Sequence, residues 1–336
     1  MEKMNATPKR IVLAGGSGFL GRILGEAFVS SGHEVVVLTR FPGLRNNGLK
    51  EIVWDGKTPG DWAGVIDGTD VVINLAGRSV DCRYNASNRR AIMESRVDST
   101  RVLGRVIEGC KRPPALWLNS STATIYKHSL DQPMDETGAI GATAEAKDAF
   151  SIEVACAWEK ALDDAQTADT RKVALRTAMV LGPHGGVFPV LRRLTKLGLG
   201  GKMGNGGQYV SWIHAEDFCR AIGWIMAKPE LSGVVNVAAP SPLPNHEMMR
   251  AFRQLCGIPF GLPATAWMLE VGAFFARTET ELMIKSRRVV PGRLLASGFH
   301  FHFQNMAAAL CAIQHPTHTG CTKHPRRPHR AFFEMP

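Results

Sequence analysis

The 336-residue sequence predicts an α/β protein built on a doubly wound parallel sheet. Short apolar runs alternate with segments of helical periodicity along most of the chain, which is the order expected of repeated strand–helix–strand units. In addition, the first apolar run leads directly into a glycine-rich turn and a helix. The composition, with 45% hydrophobic and 21% charged residues, is ordinary for a globular protein.

The first strand–turn–helix–strand unit lies between Arg10 and Arg40. Its first strand, Ile11–Ala14, is an apolar run typical of a buried parallel strand, and it stops at the sequence GGSGFLG. Glycines allow the backbone to turn tightly and to approach a pyrophosphate, for which the following helix supplies N–H groups and a positive dipole. The pattern predicts a Rossmann-type dinucleotide site, with a structural glycine turn as the alternative. The predicted contact residues in this turn are Gly15, Ser17, Gly18, Phe19, Leu20 and Gly21.

The residues that follow the second predicted strand indicate which dinucleotide would bind. An NAD site has an acidic residue here, about 20 residues past the glycines, which accepts from the ribose 2′-hydroxyl. This sequence has Thr39 and Arg40 instead, with no acid before Glu51. A guanidinium can pair with a 2′-phosphate through two hydrogen bonds. We therefore predict that Thr39 and Arg40 contact NADP(H); a surface arginine in a loop is the alternative.

Charge and cysteine content weigh against several other classes of protein. The net charge is +10, but the basic residues are scattered and do not form a stripe with aromatic residues, so no nucleic-acid partner is expected. Seven cysteines without a C-x-x-C pair argue against a disulfide framework or a zinc ribbon. Because the sequence shows neither an apolar leader nor a run long enough to cross a bilayer, we expect a cytoplasmic protein without a membrane partner.

The next two predicted strands, 51–54 and 70–74, extend the sheet. The second of them ends at Leu75, Ala76 and Gly77, where small residues let the chain pass close to a cofactor. Ligands of open parallel sheets bind outside the carboxyl ends of the strands, so these three residues are cofactor candidates. A simple strand-ending glycine is the alternative.

A long predicted helix over 85–111 and a fifth strand over 115–119 come next. Arg96 lies on this helix among several other arginines; we predict that it faces the cofactor, with a solvated helix face as the alternative. The fifth strand leads into the sequence SSTATIY, whose hydroxyl groups are placed to bind a reacting carbonyl. A Ser/Thr turn that satisfies its own backbone is the alternative.

The remaining predicted elements form the C-terminal part of the fold. We expect Asp217 to cap a helix that begins at Phe218, and Asn245 to cap a helix that begins at Glu247. Further helices are expected near Trp267 and Leu282. The other predicted elements are strand 172–176, helix 188–196, a glycine-rich loop over 198–207, strand 208–213 and strand 234–237.

The motifs GGSGFLG, NLAG and SSTATIY resemble the extended short-chain dehydrogenase/reductases, a group of sugar epimerases and dehydratases. The segments ESRVDSTRVL, LRTAMVLGPHGG and NVAAPSPLPN are similar to an atypical branch of the NAD-dependent epimerase/dehydratase superfamily, the NADP-binding "epimerase family proteins". The resemblance covers residues 8–311. It implies a Rossmann domain over 1–185, to which the strand near 234–237 returns, a smaller C-terminal α/β substrate lobe over 186–311, and contact of Val180 with the nicotinamide end of NADP(H). Residues 312–336 depart from it and are predicted to form a disordered basic tail.

The resemblance also implies a catalytic Tyr-x-x-x-Lys pair beside a Ser or Thr. Thr122 matches the Ser or Thr position. When the segment is aligned on Glu159, however, Ser151 stands at the tyrosine position and Ala155 at the lysine position, so the pair is absent. Thr122 and Tyr126 remain as candidate catalytic residues, with a packing role as the alternative for Tyr126.

Together these features predict an NADP(H)-binding oxidoreductase or epimerase-like enzyme that acts on an unidentified small molecule. Hydride chemistry survives the loss of the pair in principle, because the cofactor supplies the hydride and the protein mainly positions and polarises. A non-catalytic NADP(H)-binding sensor or scaffold is the alternative. Two further hypotheses are Lys147 as a substitute for the missing lysine and His214 as an acid/base, with a structural histidine as the alternative for His214. No metal site is predicted.

Overall fold

The computed structural model describes residues 7–43, 49–265 and 284–315. The strands in chain order are β1 (Arg10–Ala14), β2 (Glu34–Thr39), β3 (Lys50–Val53), β4 (Val71–Asn74), β5 (Leu116–Thr122), β6 (Arg171–Thr177), β7 (Met179–Leu181), β8 (Tyr209–Val210), β9 (Trp212–His214), β10 (Gly233–Val237) and β11 (Leu243–Pro244). The helices are α1 (Phe19–Ser30), α2 (Ala86–Glu108), α3 (Ala149–Asp163), α4 (Phe188–Lys196), α5 (Ala215–Ala227), α6 (Asn245–Cys256), α7 (Gly292–Ala296) and α8 (Met306–Gln314).

Seven strands form one parallel sheet in the order β10-β6-β5-β4-β1-β2-β3. β1 lies inside the sheet, with Val12 opposite Val36 of β2 on one side and Val72 of β4 on the other. The chain therefore builds the sheet outward in both directions from β1, and the strand order reverses between β1 and β4. This is the doubly wound, Rossmann-type sheet that the sequence predicts, and ligands bind such sheets beside the point of reversal.

Both faces of the sheet are buried, which explains why its strands are continuous apolar runs. Ile11 and Leu13 belong to the hydrophobic cluster that includes Leu24 of α1 and Phe218 of α5. Val12 and Ala14 belong to the cluster on the other face, which includes residues of α2. Alternate residues of a strand point to opposite faces, so one short strand joins the two layers of helices.

The second part of the fold packs around its own hydrophobic cluster. Phe188 and Leu191 of α4, Phe252 of α6 and Leu310 of α8 meet there. Two small sheets, one pairing β7 with β9 and the other pairing β8 with β11, join this part to the main sheet. The strand predicted over 234–237 lies in the main sheet as β10. The helices predicted near Trp267 and Leu282, and residues 316–336, lie outside the described residues.

The predicted cap of α5 is wrong. The helix begins at Ala215, and its N-cap is His214, whose Nδ1 accepts from the backbone N–H of Glu216 at 3.1 Å. Asp217 is fully buried in the first turn, where its carboxylate accepts from the backbone N–H groups of His302 and Phe303 at 3.0 and 2.8 Å. Its role is thus to bind a distant segment of the chain to α5.

Two other predictions in this part of the chain are corrected. α6 begins at Asn245 itself, with Pro244 at the cap position, and the Asn245 side chain accepts instead from the backbone N–H of Met203 at 2.8 Å. The single strand predicted over 208–213 is divided at Ser211 into β8 and β9, which pair with different partners. Among the helices of the described ranges, none combines the length and the apolar character that crossing a bilayer requires.

Candidate functional site

The glycine turn after β1 is formed by contacts with two neighbouring strands. Gly15 has a φ of 72°, which favours glycine, and its N–H donates to the Leu38 carbonyl of β2 at 2.8 Å. A Cβ placed on Gly15 would lie 2.7 Å from the Cα of Ala76. The end of β1, the end of β2 and the segment after β4 therefore converge at this residue.

Helix α1 starts directly on this turn. A Cβ on Gly21 would lie 2.3 Å from the Cα of Gly16, so α1 can approach the turn only because both residues are glycines. Gly18 is the N-cap and has no side chain to cap the helix, and the first turn contains no acidic residue. The N–H groups at the start of α1 are therefore left for an external acceptor, which fits the pyrophosphate of a dinucleotide.

The segment after β6 packs against the same end of α1. A Cβ on Gly185 would lie 2.5 Å from the ring of Phe19, so this ring covers the turn that follows β7. Val180, in β7, is 7% exposed, and Leu20 packs against the core. The Phe19 ring thus packs on the turn that follows β7, whereas Leu20 packs against the core of the sheet.

The end of β2 presents an exposed cation. Thr39 is buried, and its hydroxyl oxygen accepts from the backbone N–H of Phe41 at 3.4 Å. Arg40 is exposed, with its guanidinium carbon 5.8 Å from the centre of the Phe41 ring. It forms no ion pair with any residue in the ranges the structure describes.

β5 is longer than predicted and includes the hydroxylated residues up to Thr122, which lies opposite Thr177 of β6. Thr122 is half-buried, and its side-chain oxygen accepts from the backbone N–H of Thr124 at 3.1 Å. This hydrogen bond is the one expected of a Ser/Thr turn whose side chain satisfies its own backbone, the alternative given for this segment. A hydroxyl that accepts in this way retains its proton for donation, so Thr122 keeps the capacity to polarise a carbonyl.

Two buried asparagines that the sequence analysis did not single out hold the edge of the sheet together. The Asn74 amide donates to Asn119 Oδ1 at 2.8 Å and to the Thr100 hydroxyl at 3.2 Å, while its own oxygen accepts from the Ala76 N–H at 3.1 Å. These bonds position the 75–77 segment beside the glycine turn. The sequence did carry a signal for this pair, because Asn74 and Asn119 are polar residues at the ends of two apolar strands, and the structure places them opposite each other.

Tyr126 lies in a buried polar network. It is 2% exposed, and its hydroxyl donates to Asn236 Oδ1 at 2.7 Å and accepts from Arg176 Nη1 at 2.9 Å. Arg176 also pairs with both carboxylate oxygens of Glu159 at 2.8 and 2.7 Å. Burial raises the pKa of Tyr126, and this outweighs the hydrogen bond from Arg176, which lowers it. The geometry supports the packing alternative for this residue.

The positions of the missing catalytic pair lie on α3, where Ser151 is half-buried and Ala155 is fully buried. Lys147 is exposed and has a φ of 52°, an unusual backbone angle for a residue other than glycine. The structure places a different lysine near the start of α3. Lys285 forms an ion pair with Asp148, both fully buried, and donates to the Thr124 carbonyl at 2.5 Å.

Because Lys285 is 1% exposed, it secures the loop after β5 and does not reach a ligand. His214 caps α5 and is stacked 3.9 Å from the Phe303 ring. Burial lowers its pKa, against the opposing effect of Glu216 and Asp217, so the neutral ring that accepts from the backbone is favoured. Within residues 7–43, 49–265 and 284–315, no three His, Cys, Asp or Glu side chains group as metal ligands would.

Comparisons with known proteins show which family the chain resembles. The model of the NAD dependent epimerase/dehydratase family matches residues 11–238, and that of a domain of unknown function, DUF1731, matches residues 264–313. Epimerase family protein SDR39U1 of Bos taurus is 31% identical over 305 residues, which cover 90% of this chain and 98% of the bovine protein. Epimerase family protein YfhF of Bacillus subtilis is 30% identical over 307 residues, with 90% and 97% covered.

Solved structures show the same fold. The crystal structure of human epimerase family protein SDR39U1 with NADPH superimposes with a TM-score of 0.78 at 29% identity, covering 90% of this chain and 98% of that one. UDP-N-acetylglucosamine 4-epimerase from Bacillus cereus, at 17% identity, shares the fold with a TM-score of 0.69 and covers 90% and 94% of the two chains. The resemblance stated from the motifs is confirmed: the chain belongs to the NAD dependent epimerase/dehydratase family.

Proposed function

We propose that this chain binds NADP(H) at the carboxyl edge of its parallel sheet and acts with it on a small molecule. The observation that supports this most is the convergence at the end of β1, where Gly15 touches the 75–77 segment and α1 begins without a side-chain cap. A dinucleotide pyrophosphate would accept from the free N–H groups of this helix start. The human relative crystallised with NADPH shares this fold.

The preference for NADP(H) over NAD(H) depends on Arg40. Its exposed guanidinium follows β2 directly and has no acidic partner among the described residues, so it is available to a 2′-phosphate. The residues that would hold the cofactor are Gly15, Ser17, Gly18, Phe19, Leu20, Gly21, Thr39, Arg40, Leu75, Ala76, Gly77, Arg96 and Val180.

An Arg40→Asp variant tests the cofactor assignment. We expect the preference for NADPH over NADH to fall by about 10- to 100-fold, since about 1.5–3 kcal/mol of charge-assisted hydrogen bonding is lost. The two affinities are measured by titration of purified protein with each coenzyme while nicotinamide fluorescence is followed. Arg101→Asp, an exposed arginine in the second half of α2, is the matched control. An unchanged coenzyme preference in Arg40→Asp would contradict the assignment.

As an enzyme, the chain would use the bound cofactor as the donor or acceptor of hydride. Thr122, at the end of β5 with its proton free to donate, would orient a carbonyl or carbinol of the substrate. No residue of the Tyr-x-x-x-Lys pair is available, since Ser151 and Ala155 occupy its positions and the Tyr126 hydroxyl is buried.

These same observations favour a second candidate, a non-catalytic NADP(H)-binding sensor or scaffold. Hydride exchange between NADPH and a panel of aldehydes and ketones separates the two functions. If the wild type oxidises NADPH with one of these substrates and the rate falls at least tenfold in Thr122→Val, the enzyme function is supported. No exchange across the panel, together with a protein partner that co-purifies only when NADPH is present, would support the sensor.

A further inference from the structure

We propose that a basic cavity in the second part of the fold binds a phosphate group of a ligand other than the cofactor. The cavity has a volume of about 300 Å³ and lies between α6, the glycine-rich loop over 198–207 and residues 261–263; we call it the α6 cavity. Its basic lining residues are Lys202, His246, Arg250 and Arg253. No cavity residue is among those assigned to the cofactor, so the inference stands apart from the proposed function.

The basic side chains reach the α6 cavity from two elements. His246, Arg250 and Arg253 are spaced by four and three residues along α6, so they share one face of this helix. Lys202 comes from the glycine-rich loop. A Cβ on Gly206 would lie 3.0 Å from Cβ of Lys202 and 3.1 Å from Cβ of His246, so the loop and the helix converge at this glycine.

The positive charge of the α6 cavity is uncompensated. Among the described residues, no acidic side chain lines the cavity, and Lys202, Arg250 and Arg253 form no ion pair. Glu247 Oε1 lies 4.0 Å from His246 Nε2, but Glu247 is not part of the lining. The sequence has no Asp or Glu over 170–215 or over 248–269, and these two segments supply most of the walls. A bound anion would relieve the repulsion between these cations.

The walls of the α6 cavity are fixed by hydrogen bonds, which lowers the entropic cost of binding a ligand. Arg253 is half-buried, and its Nη1 donates to the Gly200 carbonyl at 2.7 Å. Its Nε and Nη2 donate to no residue in the described ranges and remain available to a ligand. Ala264 joins the loop to the third wall, since its N–H donates to the Lys202 carbonyl at 2.9 Å and its carbonyl accepts from the Gly204 N–H at 2.8 Å.

The number of cations in the α6 cavity favours phosphate over other groups. A phosphate monoester carries about 1.5–2 negative charges at neutral pH and presents three oxygens that accept hydrogen bonds. Two of these oxygens match the planar guanidinium of an arginine, while an ammonium group binds a third as a point charge. A single carboxylate would compensate only one of the three cations, and a neutral ligand would compensate none.

The rim of the α6 cavity is apolar. Phe260 and Leu262 are 69% and 59% exposed, on either side of a glycine that lines the cavity. The Leu262 N–H donates to the Gly198 carbonyl at 2.8 Å, which brings the exposed side chains of Leu197 and Leu199 to the same rim. Adjacent exposed apolar side chains of this kind mark binding surfaces. The ligand therefore carries an apolar part beside its phosphate, and it is either a soluble organic phosphate or the headgroup of a lipid.

A Lys202→Gln/Arg250→Gln double variant tests the inference. Both side chains are exposed and bond to no residue that the structure describes, so the fold should persist. The matched control is Arg101→Gln/Lys111→Gln, which removes the same charge from two other exposed positions. Affinity for phenyl phosphate is measured by calorimetry at constant ionic strength. We expect a loss of about tenfold or more in the cavity variant and wild-type affinity in the control, because charge-assisted hydrogen bonds are lost only in the former.

Vesicles of phosphatidylcholine, with and without phosphatidic acid, distinguish the two sources of the phosphate. Sedimentation of wild type and control, but not of the cavity variant, with the phosphatidic acid vesicles identifies a lipid headgroup. Binding of phenyl phosphate without sedimentation on either kind of vesicle identifies a soluble organic phosphate. A wild type that binds neither probe overturns the inference, as does equal binding by the cavity variant and the control.

NADPH titration keeps this inference separate from the proposed function. The cavity variant should bind NADPH as wild type does, because its substituted residues lie away from the carboxyl edge of the sheet. A wild type that fails to bind NADPH overturns the proposed function and leaves the α6 cavity untouched. If the double variant does not fold, Lys202→Glu serves in its place, since one exposed carboxylate in the cavity should likewise lower phenyl phosphate affinity by about tenfold or more. Wild-type affinity in Lys202→Glu would contradict the inference.

Discussion

Removing the Tyr126 hydroxyl should destabilise the fold strongly. Tyr126→Phe leaves two buried groups without their partner, the Asn236 oxygen and one nitrogen of Arg176. An unsatisfied buried polar group costs about 1–3 kcal/mol. Arg176 keeps its two bonds to Glu159, so we expect about 2–4 kcal/mol in total. This corresponds to an approximately 30- to 900-fold lower ratio of folded to unfolded protein.

The assay is urea unfolding of the two proteins without cofactor, followed by tryptophan fluorescence. Tyr209→Phe is the matched control, because Tyr209 is half-buried and its hydroxyl bonds to no residue in the described ranges; we expect a change below about 0.5 kcal/mol. A Tyr126→Phe protein as stable as this control, with reduced turnover of a substrate, would refute the packing role and return Tyr126 to the catalytic candidates.

The remaining predictions concern α1 and α5. Gly21→Ala should abolish NADPH binding or folding, since its Cβ would lie 2.3 Å from Gly16; fluorescence titration measures the binding. In Gly223→Ala the added Cβ would meet no atom within 4 Å, so the free energy of unfolding, measured with urea, should rise by about 0.5–1 kcal/mol. Burial lowers the pKa of His214, so the unfolded chain binds the extra proton first and stability is lost as pH falls through about 6.5. His214→Asn, which retains a capping side chain, should lose less stability between pH 7.5 and 5 than wild type, by at most about 1.4 kcal/mol per pH unit. Equal losses would contradict this assignment.

The central sheet and the cofactor edge follow from local patterns. β1, the glycine turn and α1 are contiguous in sequence, and each element is determined by residues within it: apolar runs for the strands and glycines for the turn. Arg40 could be proposed as a cofactor contact because that proposal depends only on its position directly after β2. Elements that are determined by neighbouring residues in this way can be predicted from a single sequence.

The parts that could not be predicted depend on long-range contacts. His214 replaces Asp217 as the cap of α5 because the Asp217 carboxylate binds a segment more than 80 residues away, which no local pattern records. The strand over 208–213 is divided at Ser211 because its first half pairs with β11 and its second half with β7, and the Ser211 hydroxyl bonds with the backbone of Arg287 and Val289. The choice between a catalytic and a packing role for Tyr126 stayed open because its hydrogen-bond partners come from β6 and β10, which are distant in the sequence.

The ion pair between Lys285 and Asp148 has a consequence for how the two matched family segments relate. Lys285 lies in the segment matched by the domain of unknown function, whereas Asp148 lies in the segment matched by the epimerase model. A buried carboxylate that loses its ammonium partner typically costs 3–5 kcal/mol, a large part of the stability of most proteins. A chain cut after residue 260 would retain the motifs GGSGFLG, NLAG and SSTATIY and still lack the counter-ion of Asp148 at the start of α3. The segment around Lys285 is therefore a structural component of the part of the chain that the epimerase model matches, not an accessory module that could be removed or exchanged.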